Sequence, residues 1–136
     1  MLLEEISHKI LDAAYKVHSA IGPGLFEEVY KVCLRHELNK AGLKVLSEVG
    51  IPVIYDGIEL EVGYRMDLIV EDSIVLELKS VESLAPIHKA QLLNYLKLAK
   101  KEVGLLLNFN TAHLRNGIMR VANSFSSPRP SRPPRY

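Results

Sequence analysis

The stretch from Gly63 to Ser80, GYRMDLIVEDSIVLELKS, constrains this chain more than any other. It reads as two β-rich runs joined by a polar turn, Glu71-Asp72-Ser73. Asp67, Glu77 and Lys79 fall inside those runs, where an apolar strand has no use for charge. A three-residue turn pairs Val70 with Ile74 and, counting back, sets Asp67 opposite Glu77. A two-residue turn at Asp72-Ser73 would oppose Asp67 to Leu78 and aim it away from Glu77. The side-chain pattern selects the first register, because it gathers Met66, Leu68, Val70, Ile74, Leu76 and Leu78 on one apolar face. Arg65, Asp67, Ile69, Val75, Glu77 and Lys79 share the other face, with the charges at the end far from the turn.

The flanking sequence predicts what covers this hairpin. Leu3, Ile6, Ile10, Ala13, Ala14, Val17 and Ile21 recur at helical spacing over residues 3–21, with acids in the first turn, until Gly22-Pro23-Gly24 stops the pattern. A second helix is expected over 25–40, closing before Gly42. Residues 43–55 are strand-like, and Pro52 within them marks an edge strand or a bulge. Asp56-Gly57 is a hairpin turn into the run 58–70, which is expected to bend at Gly63. After a connector at 83–86, a helix over 87–100 places Gln91 and Tyr95 on one face. The apolar run 103–109 has the character of a strand covered on both sides and parallel to a neighbour, and a short strand is expected over 117–121. The order α-α-β-β-β-α-β(-β) is that of an α/β fold, a mixed sheet with helices packed on it.

At 136 residues and 48% hydrophobic, the chain carries one domain's worth of core. Its net charge of +1 conceals an asymmetry. Residues 122–136 hold Arg129, Arg132 and Arg135 and no acid, which leaves 14 basic and 16 acidic residues in 1–121. That slightly acidic body excludes a general polyanion-coating surface, so nucleic acid would have to be engaged through a local patch or a metal. The Pro/Ser/Arg-rich segment 122–136 is expected to be a disordered or polyproline-like tail, a weak phosphate-contacting arm at most. Cys33 stands alone, with neither a disulfide partner nor a Cys/His metal spacing, which suits a reducing cytoplasm. No apolar run approaches the ~20 residues of a membrane span, and the acids after the first apolar residues are in the wrong order for a signal peptide.

Two carboxylates side by side on a covered strand face repel each other and call for a cation. Asp, Glu and a backbone carbonyl are hard oxygen ligands, suited to Mg²⁺ or Mn²⁺. A lysine beside them can orient a water and balance developing charge. An isolated Glu-x-Lys is ordinarily a surface ion pair; the register, the facing Asp67 and the two-sided burial of the strand argue against that reading here. His8 and His18 read as polar surface, and Glu27 taken alone as a solvated acid at a helix start.

These residues carry a family resemblance. Asp67 with Glu77-Leu78-Lys79, in this order of elements, resembles the PD-(D/E)XK nuclease superfamily. Gln91-Leu92-Leu93-Asn94-Tyr95 resembles the QxxxY motif of its RecB-like nucleases, and Gly24 through Glu27 to Tyr30 matches the motif for which the GxxExxY protein family is named. The resemblance covers approximately residues 3–121 and implies a restriction-endonuclease-like core; Met66 stands where the superfamily's name has Pro. It implies that Asp67, Glu77 and the Leu78 carbonyl hold Mg (or Mn), with Glu27 reaching the metal directly or through water. Lys79 would position the attacking water, Gln91 and Tyr95 would help place the substrate phosphate or support Lys79, and Tyr30 would serve the substrate. The implied reaction is metal-dependent hydrolysis of nucleic acid, DNA in preference to RNA. The competing expectation is a non-catalytic nucleic-acid- or protein-binding module on the same fold, as a homodimer in one version. A small-ligand domain is the weakest reading, since no phosphate-cradling glycine loop is present.

Overall fold

The apolar stripe at Ile6, Ile10, Ala13, Ala14 and Val17 makes the buried face of α1 (Leu3–Ile21), and Gly22 at φ +67° returns its N–H to the His18 carbonyl at 2.8 Å. The computed structural model describes residues 1–123, with Glu61 and Val62 described in backbone only. Most of the expected tail therefore lies outside the described residues, while Ala122 and Asn123 are built into the fold: Asn123 is buried and its N–H donates to the Glu102 carbonyl. Helix α2 (Glu27–Lys40) starts later than expected and buries Tyr30, Leu34 and Leu38. It closes across Gly42 with the Leu43 N–H bonded to the Leu38 carbonyl at 3.1 Å.

Strands β1 (Val45–Tyr55) and β2 (Ile58–Val70) form a hairpin on Asp56-Gly57, both at positive φ as a two-residue turn requires. Then follow β3 (Ile74–Lys79), α3 (Pro86–Ala99), β4 (Val103–Asn108), a 3-10 turn at Leu114–Gly117 and β5 (Ile118–Ala122). The five-stranded sheet runs β1-β2-β3-β4-β5, antiparallel except for β3 and β4, which are parallel across the α3 crossover. Pro52 fulfils both of its expected roles, since β1 is an edge strand and its register shifts between Ile51 and Val53. Every residue of β4 is buried, as the unbroken apolar run demanded.

Helices α1 and α2 cover one sheet face, packing on Leu68, Val70, Ile74, Leu76 and Leu78. Helix α3 covers the other, where Leu92, Tyr95 and Leu96 meet Ile69, Val75 and Leu106. Met66 departs from its expected face: it lies on the α3 side with Ile51 and Ile69 rather than with Leu68. The cause is local. Glu48 adopts φ +54°, and the β1–β2 ladder passes from Ser47–Leu68 to Val49–Met66 without a Glu48–Asp67 pair. The in-out alternation reverses across that gap, so Val45 packs toward α1 and α2 whereas Val49 and Ile51 pack toward α3. The reversal falls at Asp67.

Candidate active site

The pairs Val70–Ile74, Ile69–Val75 and Leu68–Leu76 follow the three-residue turn, and there the β2–β3 ladder ends. Beyond it β2 stays with β1 while β3 stays with β4, so the two central strands part. Side chains replace the missing ladder. The Leu78 N–H donates to Asp67 Oδ2 at 2.8 Å, and the Asp67 N–H donates to Glu77 Oε1 at 3.1 Å. Each carboxylate thus satisfies a backbone donor orphaned by the fork, and the two carboxyl groups also interact with each other. No buried side-chain polar atom among the described residues lacks a partner.

Glu77 is buried, with 8% of its surface exposed. Burial first, and the neighbouring Asp67 charge second, push its carboxyl up to about 8. Burial also raises Asp67, against the opposing pull of the Leu78 N–H and of the Lys31 and Lys79 charges. A pair held this reluctantly in its doubly ionised form fits a divalent cation, which would offset both the desolvation and the repulsion with hard-oxygen bonding.

Lys79, half-buried at the end of β3, forms no ion pair with either acid among the described residues, although its charge acts on both. Tyr95 of α3 has its hydroxyl pKa raised by burial and then by the Glu77, Tyr64 and Asp67 charges, and its ring lies 5.5 Å from Tyr64. The structure therefore brings Asp67, Glu77, Lys79 and Tyr95 into one neighbourhood. Gln91, one helical turn before Tyr95, is exposed.

Glu27 is exposed at the first position of α2. No group of three or more His, Cys, Asp or Glu side chains among the described residues is arranged to hold a metal, so Glu27 is not gathered with the pair. Its helix start is nonetheless anchored to the strand end, since Ser80 Oγ donates to the Leu25 carbonyl at 2.5 Å. Tyr30, expected beside the substrate, is wholly buried. Its hydroxyl donates to the Gly22 carbonyl at 2.5 Å and accepts from the Leu25 N–H at 3.1 Å, and its ring stacks on Phe109 at 4.6 Å. Tyr30 shapes the loop before Glu27 and has no face left for substrate.

Three residues carry more than the sequence revealed. Lys31, its side chain 12% exposed, pairs with Glu28 at 2.8 Å and with Glu48, and its charge reaches Asp67. Asn108, buried at the end of β4, accepts the Val81 N–H at 3.1 Å and donates to the Val81 carbonyl at 3.0 Å, which holds the chain just after Lys79. A lone amide ending an all-apolar strand was the available signal. His18, expected as polar surface, donates from Nε2 to the Thr111 carbonyl at 2.8 Å.

A five-stranded mixed sheet between helices, with Asp67 and Glu77-Leu78-Lys79 where two central strands part, defines a restriction-endonuclease-like α/β fold. The chain belongs to the PD-(D/E)XK nuclease superfamily, whose family model matches residues 4–121. Nuclease chemistry on nucleic acid, generally with divalent metal ions, is the common ground of that superfamily. Among solved structures the chain is similar in fold to the crystal structure of SSO0001, at a TM-score of 0.55 and 24% identity over 71% of this chain. The match takes in 50% of that protein, so this chain corresponds to about half of its length. No curated protein matches the chain. No helix among the described residues is long and apolar enough to cross a membrane.

Proposed function

We propose that this protein is a metal-dependent nuclease of the GxxExxY family that hydrolyses DNA phosphodiester bonds in the cytoplasm. The observation that carries the reading is the reciprocal capping of Asp67 and Glu77 in the β2–β3 fork, which sets two carboxyl groups side by side. Asp67, Glu77 and the Leu78 carbonyl, with Glu27 directly or through water, would hold Mg²⁺ or Mn²⁺, which when bound supplies Lewis acidity and positive charge at the scissile phosphate. Lys79 orients the attacking water and balances the charge that develops on the phosphate oxygens. Gln91 and Tyr95 position the substrate from α3. Tyr30 acts on the site only by holding the loop ahead of Glu27.

Purified protein with MgCl₂ or MnCl₂ is expected to cut DNA faster than RNA, and Glu77→Ala or Lys79→Ala to abolish the cutting. Activity that survives both substitutions would remove this assignment.

One observation favours a second reading. Only two acids are gathered among the described residues, with Glu27 left at the surface, and a two-acid site suits a non-catalytic nucleic-acid- or protein-binding module, monomeric or dimeric. Calorimetric titration separates the two: absence of Mg²⁺ or Mn²⁺ binding at millimolar concentration selects the module.

A further inference from the structure

A cleft of about 740 Å³ opens on the other side of the loop that precedes Glu27. It is lined by Tyr15, His18 and Ser19 of α1, by Gly22 and Pro23, and by His113 and Arg115 from the β4–β5 connection, among others. No carboxylate lines it. Another cleft, between α1 and α2, carries cations together with acids. There Glu37 lies 3.1 Å from Lys16 and 3.6 Å from Lys40, and Asp12 shares the lining with Lys9. Arg115, by contrast, is exposed and forms no ion pair or side-chain hydrogen bond among the described residues. In a body with 14 basic and 16 acidic residues over 1–121, an acid-free cleft carrying an unmatched guanidinium is a local reversal of the average.

Three further features describe what such a cleft takes. Tyr15 and His113 expose flat rings beside the arginine, and basic groups interleaved with aromatic rings suit a single nucleic-acid strand, phosphates on the cations and bases on the rings. The wall is preorganised, because His18 is fixed to Thr111 and lies 6.4 Å from Phe109. The loop that contributes Gly22 and Pro23 to the cleft is also tied to the end of β3. The loop from Gly22 to Leu25 is bonded to the buried Tyr30 and, through the Leu25 carbonyl, to Ser80, the residue after Lys79.

We infer that this cleft binds the phosphodiester backbone of a single-stranded segment of nucleic acid contiguous with the strand engaged at Asp67 and Glu77. The inference rests on the nuclease reading for its ligand class, but it concerns different residues and fails separately. Arg115 is the chief phosphate contact, and Tyr15 is the base platform.

The test is anisotropy of a fluorescent single-stranded oligodeoxynucleotide on the full chain in the Glu77→Gln background with EDTA, where the acid pair neither cuts nor repels. Arg115→Glu is expected to weaken binding about tenfold and to lower the slope of log affinity against log salt by roughly 0.7, as one lost single-strand phosphate contact does. Tyr15→Ala is expected to weaken single-strand binding and leave a duplex of the same length unaffected. Unchanged affinity and slope in Arg115→Glu overturn the inference. Equal losses for single strand and duplex overturn its single-strand assignment. Calorimetric Mg²⁺ binding in the Arg115→Glu single variant should equal that of the wild type; a drop would mean that the substitution acts through the fold, and would also overturn it. An Arg115-dependent binder that never cuts DNA with Mg²⁺ keeps the cleft and loses the nuclease, whereas a cutter indifferent to Arg115 does the reverse.

Discussion

Asp67 and Glu77 cap each other's strands: the Asp67 side chain accepts the N–H of Leu78, next to Glu77, and the Glu77 side chain accepts the N–H of Asp67. This exchange keeps the fork between β2 and β3 satisfied while crowding two carboxylates together. The crowding has a measurable consequence. An acid whose carboxyl is raised by the fold binds its proton more tightly folded than unfolded. The stability it contributes is full below the unfolded value near 4.5 and is lost as pH rises through about 8. For Glu77 the upper bound is on the order of 5 kcal/mol. In EDTA, urea denaturation of the wild type should show stability falling between those pH values relative to Glu77→Gln, which retains an acceptor for the Asp67 N–H. Parallel pH profiles for the two proteins would contradict the buried, crowded carboxyl.

Tyr30→Phe keeps the stack on Phe109 and removes only the hydroxyl that joins Gly22 to Leu25. A lost hydrogen bond of this kind costs about 1–2 kcal/mol, read as a lower denaturation midpoint. Because the same loop is bonded to Ser80, any nuclease activity should fall several-fold with the KM for DNA little changed.

Asn108→Ala removes the acceptor of the Val81 N–H, one of the two donors to the Val81 carbonyl, and the acceptor of the Asn110 N–H at 3.2 Å. Leaving two partly buried backbone N–H groups without acceptors should cost roughly 2–4 kcal/mol. Asn108→Asp, which keeps the acceptor and loses the donor, should fall between Asn108→Ala and the wild type in thermal unfolding.

Gln91 and Tyr95 share a helix face but not an environment. Gln91→Ala, at an exposed position, should leave stability within about 0.5 kcal/mol while lowering DNA cleavage. Tyr95→Ala should destabilise by roughly 3 kcal/mol, because Tyr95 packs with Leu92, Leu96 and Ile69. Tyr95→Phe isolates the hydroxyl, and a loss of cleavage there without loss of stability would assign it to the reaction rather than to the core.

Much of this arrangement was legible in the chain. The positions of Gly22, Gly42 and Asp56-Gly57 punctuated the elements because glycine and Asp-Gly turns supply the positive φ that these boundaries need. The alternation on either side of Glu71-Asp72-Ser73 was enough to pair Val70 with Ile74, since a slip of one residue would have turned every apolar side chain of the hairpin outward. The nearly continuous apolar run of β4 announced a strand buried on both faces and parallel to a neighbour, which the structure identifies as β3.

What the sequence determined was therefore everything that depends on neighbours along the chain: the periods, the turns, the register and the candidacy of Asp67, Glu77 and Lys79. The tertiary structure decided what depends on residues far apart. Only the departure of β2 with β1 and of β3 with β4 opens the fork and leaves two N–H groups for the carboxylates to cap. The Glu48 irregularity that moves Met66 to the other face, the burial of Tyr30 and the charge of Lys31 near Asp67 likewise arise from packing between elements. Strand alternation is a local rule, and it holds until a partner strand breaks it. Here the break falls at the carboxylate around which the site is built.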